Sequence, residues 1–127
     1  MAVEGYWAVI DYAMRVAELA AATEPVEDAV DDIVDFLRAA AGPECAREVG
    51  EFARGLAARV GRDARENPSR FLAPLFEFFY QALPRCMGPG PEPPRARLEF
   101  ERKVRELARR AGYDLGELAR EAARRGL

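Results

Sequence analysis

Apolar residues recur along this chain at three- and four-residue spacing, and period-two runs of β-branched residues are nearly missing, so the pattern predicts helices throughout. Over about 4–21, Glu4, Asp11, Arg15 and Glu18 fall within a sector of roughly 60° if each residue advances about 100°. Tyr6, Trp7, Val9, Ile10, Met14, Val16 and Leu19 occupy most of the remaining circumference, which predicts a helix buried on nearly all sides. A second helix opens at Thr23-Glu24-Pro25, with Thr23 as N-cap and Pro25 in the first turn, where its missing N–H costs nothing. Its core stripe is Val26, Val30, Ile33 and Leu37, and Gly42-Pro43 ends it. A third helix, about 44–66, buries Val49, Phe52, Leu56 and Val60. Asn67-Pro68 starts a fourth that runs to about Leu83 and carries five aromatic residues. Its polar stripe is Arg70, Glu77 and Gln81, with Pro74 on the same side, where it kinks the helix or marks its true start.

The periodicity breaks over 84–94, PRCMGPGPEPP, which reads as a non-helical linker, partly extended as polyproline II. An αα hairpin follows, about 96–111 and 114–125, with Gly112 suited to a left-handed C-terminal position and Asp114 to an N-cap. The expected fold is all-α: a bundle of about four helices over 1–83, a Pro/Gly linker over 84–94 and a C-terminal helical hairpin over 95–127. A chain of 127 residues suits one core, so these parts form one structural domain. The apolar surface on the first and fourth helices exceeds what one small bundle hides. It predicts an oligomer with Tyr6, Trp7, Phe78, Phe79 and Tyr80 as interface anchors.

Charge adds a second feature. The net charge of -3 conceals a polarised chain, with ten acids against two bases in residues 1–44 and ten bases against six acids in residues 95–127. Asp28, Asp31, Asp32 and Asp35 share one face of the second helix, where like charges at this spacing repel. A solvated face, hard-cation binding and docking on a basic surface are the three explanations, and the cation reading lacks Ca-loop spacing. Docking accounts best for the repulsion. Arg95, Arg97, Arg102, Arg105 and Arg109 form the candidate basic partner face, either folded back on the same chain or crossing to a neighbour. Arg47, Arg54, Arg62 and Arg65 line the third helix and offer a backbone-binding stripe for nucleic acid, although Glu51 and Glu66 lie beside it.

Reactive chemistry is sparse. The chain has no His and a single Ser, Thr and Lys, which removes most routes to acid–base or nucleophilic catalysis. No enzyme activity, cofactor, metal or small-molecule substrate is expected. Cys45 and Cys86 form no CxxC pair and read as two buried thiols, with a disulfide as the alternative. The scarcity of Asn and Gln and the wealth of Arg and Glu fit a hyperthermophile, or a GC-rich genome. No signal peptide or membrane span is seen, so the expected location is the cytoplasm.

The functional expectation is a non-enzymatic scaffolding subunit acting by self-association or by packing in a larger complex, with protein partners. One alternative is an assembly subunit that coats nucleic acid through arginines; the small helical subunit of CRISPR effector complexes and the coat proteins of filamentous archaeal viruses share this size, helicity and thermophilic look. No motif here is diagnostic of either. The other alternative is a small helical adaptor or chaperone.

Overall fold

The structure, a computed structural model, describes residues 5–88 and 94–112, with side chains from Trp7 onward. These residues form five helices: α1 Gly5–Thr23, α2 Val26–Ala41, α3 Pro43–Glu66, α4 Ser69–Met87 and α5 Pro94–Ala111. Among the described residues there is no strand. The predicted second hairpin helix, 114–125, and the predicted segment 89–93 of the linker lie outside the described residues.

Helices α2 and α3 turn sharply at Gly42, whose φ of 97° is open to glycine and costly for other residues. Pro43 begins α3 at a position that needs no backbone donor. The two helices then pack closely. A Cβ on Gly50 of α3 would stand 2.9 Å from Val34 Cγ2 of α2, so the approach depends on the missing side chain. The Thr23 assignment requires correction. Thr23 ends α1, donating its hydroxyl to the Leu19 carbonyl at 2.9 Å, and the N-cap position of α2 is Pro25, with no side-chain cap.

Helix α4 lies at the centre of the packing, against α1, α3 and α5. Phe71, Phe76 and Phe79 are fully buried, and Phe52 of α3 stacks on Phe78 with ring centroids 4.1 Å apart. Pro74 neither starts the helix nor faces water: it is buried inside a helix already begun at Ser69. Nor does α4 end at Leu83. It continues through Pro84 to Met87, which shortens the linker. A proline interrupts only its own N–H bond to the residue four earlier, here the Tyr80 carbonyl. The turn beyond is fastened from outside.

That fastening is a disulfide. Cys45, in the first turn of α3, is bonded to Cys86, in the last turn of α4, closing a loop with a sequence separation of 41. The reading of two free thiols is therefore wrong for this structure. Because α3 and α4 form an antiparallel pair, the start of one lies beside the end of the other. Arg85 adds an ion pair to Glu48 at 3.5 Å next to the bridge.

Helix α5 is part of the same core rather than an appendage. Phe100, Val104, Leu107 and Ala108 join the hydrophobic cluster built by α1 to α4. It runs antiparallel to α4 and covers the polar stripe of that helix. Asn67 Nδ2 donates to the Arg110 carbonyl at 2.8 Å, and Arg70 donates to the Ala111 carbonyl at 3.1 Å. These two side chains satisfy carbonyls that the last turn of α5 cannot pair itself. Asn67 also accepts from the Ser69 N–H at 3.3 Å, so one residue caps the start of α4 and the end of α5.

Candidate functional site

The five aromatic residues expected at an interface divide differently. Trp7 is 7% exposed and sits between α4 and α5, with its ring 5.7 Å from Tyr80 and 6.0 Å from Phe100. Tyr80 is half-buried and stacks on Phe100 at 5.2 Å. Phe78 and Phe79 are buried. The side chain of Tyr6 lies outside the described residues. Trp7, Phe78, Phe79 and Tyr80 are thus packed within one chain, Phe78 against Phe52 of α3 and Trp7 and Tyr80 against Phe100 of α5.

The acidic ridge is placed as expected, with Asp28, Asp31, Asp32 and Asp35 all exposed along α2. Asp35 pairs with Arg38 at 3.2 Å within the same helix. Repulsion registers at the N-terminal end. The Glu24 pKa is raised, first by a hydrogen bond with the Asp32 side chain, then by lost hydration and by the negative charge of Asp32, Asp28 and Asp31. Among the described residues no group of three or more His, Cys, Asp or Glu side chains is placed to hold a metal ion.

Among the described residues the basic partner face makes no ion pair with this ridge. Helix α5 packs along α4, and its charges are engaged elsewhere: Arg97 pairs with Glu101 at 3.1 Å, Arg95 with Glu99 at 3.8 Å, and Lys103 with Glu18 of α1 at 2.9 Å. Arg102, Arg105 and Arg109 are exposed on α5 and form no ion pair with α2. The reason is the apolar stripe Phe100, Val104, Leu107, whose burial on α4 fixes which way α5 faces. On α3, Arg47, Arg54, Arg62 and Arg65 are all exposed, and Arg47 is held between Glu44 and Glu51 at 3.9 and 3.7 Å.

One surface was not anticipated. Helix α1 buries Trp7, Val9, Ile10, Ala13, Met14 and Ala17 but leaves Tyr12 53% and Leu19 68% exposed. Together with Ala8, Arg15 and Ala22 they form an outward row at spacings of four, three, four and three. That spacing is the signal that would have found it, since it is the heptad seam of a coiled coil. An open cleft of about 620 Å³ runs between α1 and α5, floored by Trp7, Met14 and Phe100 and rimmed by Asp11, Arg15 and Lys103. No helix among the described residues is long and apolar enough to cross a membrane. Comparison of the chain with protein-family models, with curated proteins and with solved structures finds no match.

Proposed function

We propose that this chain is a non-enzymatic helical subunit that works by assembly, through self-association or by packing into a larger protein complex. The observation that carries this reading is the outer face of α1, where Tyr12 and Leu19 stay exposed although the opposite face of the same helix is buried. Covering two large apolar side chains on one helix row removes apolar area from water, which favours association through that face. Sedimentation velocity or light scattering at micromolar concentration is expected to give a species larger than one chain. A lone chain across the whole accessible range overturns the reading. A cytoplasmic setting in a hyperthermophile belongs to the same proposal, supported by the scarcity of amide side chains and by the Cys45–Cys86 bond, since intracellular disulfides are common in such organisms.

A second reading has its own support. Arg54, Arg62 and Arg65 are exposed along α3 and engaged in no ion pair with a described residue, so an assembled array of chains would present them as a backbone-binding track. Binding of labelled single strands and duplexes should then weaken steeply with salt and ignore sequence. No binding at low salt overturns it.

A further inference from the structure

We propose that the outer face of α1 is the self-association surface of this chain, packed in antiparallel register against α1 of a second copy; the proposal rests on the assembly reading and names its interface. The row Ala8, Tyr12, Arg15, Leu19, Ala22 has heptad spacing, with its two large apolar side chains flanked at either end by alanine. An antiparallel pair with its twofold axis beside Ala17 sets large against small. Tyr12 of one copy lies over Ala22 of the other, and Leu19 lies beside the aliphatic stem of Arg15.

Charge selects both the partner and the direction. In a parallel pair Arg15 would face Arg15 at a seam position, where like charges repel. In the antiparallel pair each Arg15 lies beside Glu18 of the other copy. Glu18 is already held by Lys103 at 2.9 Å, so its carboxylate is positioned to take a second cation. Arg15 pairs with Asp11 at 3.0 Å in an arrangement whose side chains are 68% and 58% exposed, a contact given up at little cost. The antiparallel arrangement also sets the positive end of each helix dipole beside the negative end of its partner. A seam of about three turns is at the small end of specific interfaces, which predicts association in the micromolar range.

Sedimentation equilibrium on the full chain with its disulfide intact tests the surface. Leu19→Lys is expected to raise the dissociation constant at least about tenfold, since it sets a second cation beside Arg15 of the other copy in the centre of the seam. Its helicity and melting temperature at dilution should be unchanged, because Leu19 lies outside the core. In a mixture of Tyr12→Cys and Ala22→Cys chains, mild oxidation should yield mixed covalent dimers, whereas Ala39→Cys on the outer face of α2 should yield none. Wild-type association that survives Leu19→Lys overturns the α1 surface and leaves assembly standing. Loss of association in Leu19→Lys without mixed cross-linking of Tyr12→Cys to Ala22→Cys overturns the antiparallel register. A wild-type chain that stays single overturns both this inference and the reading beneath it.

Discussion

Helices α1 and α4 share a sequence signature, apolar residues around most of the circumference, and meet different fates. Helix α4 has α1, α3 and α5 around it, so Phe71, Phe76 and Phe79 are enclosed and even its polar residues Arg70, Glu77 and Gln81 are half-buried. Helix α1 packs on α2 and α4 and keeps Tyr12 and Leu19 outside. An apolar circumference therefore reports how many neighbours a helix requires. It does not report whether the same chain supplies them. For α4 the described residues do; for α1 they leave Tyr12 and Leu19 exposed.

The sharpest way to break this comparison is by deletion of side chains. Phe79→Ala, in the enclosed helix, should lower the free energy of unfolding by about 3–5 kcal/mol, read from denaturant melts. Tyr12→Ala and Leu19→Ala, measured where the chain is dilute, should cost no more than about 0.5 kcal/mol. Similar losses at all three sites would mean that Tyr12 and Leu19 already have neighbours within the chain.

The disulfide gives the next largest effect. Cys45→Ser with Cys86→Ser should destabilise by about 2–4 kcal/mol, the range expected from closing a loop of this size in the unfolded chain. The loss should be local in character. Hydrogen exchange is expected to quicken at Arg85–Met87, beyond Pro84, while residues 71–83 of α4 stay protected by their packing. Uniform acceleration along α4 would show that the bridge holds the whole helix rather than its last turn.

What was legible in the sequence follows from how local each cause is. Gly42-Pro43 ends α2 and starts α3 through backbone conformation alone, and both bounds could be read. The end of α4 could not, because Pro84 is a local stop signal and the bond that carries the helix past it joins residues 45 and 86. Trp7, Phe78, Phe79 and Tyr80 stood out as needing partners, but their cover includes α5, across a proline-rich break that reads as a separation. Phe100, Val104, Leu107 and Ala111 held the relevant signal, a core stripe of helical spacing on a highly charged segment. The acidic ridge was fully legible as a face. Its absence of contact with the arginines of α5 was not, since apolar burial decides how α5 is turned.

The smallest expected effect tests whether the polar stripe of α4 is truly covered. Glu77 lies on that stripe beneath α5, and burial raises its pKa; a hydrogen bond from Gln81 opposes the shift and the charge of Glu101 adds to it. A carboxyl group whose pKa is higher in the folded state holds its proton more tightly there than in the unfolded chain. Below the ordinary glutamate value both states are protonated and the group costs nothing. As pH rises from that value through the raised one, the unfolded chain ionises first and stability falls; above it a constant penalty remains. Glu77→Gln removes the titration, so the variant should melt higher than wild type at pH 7, with the difference fading below about pH 4. On α1 the sign reverses. Asp11→Asn breaks the exposed pair with Arg15 and should lower stability at pH 7 by about 0.3 kcal/mol. Opposite signs at the two sites follow from a carboxylate covered by a neighbouring helix and one that faces water; a Glu77→Gln variant that melts lower at pH 7 would show that α5 does not close over the stripe.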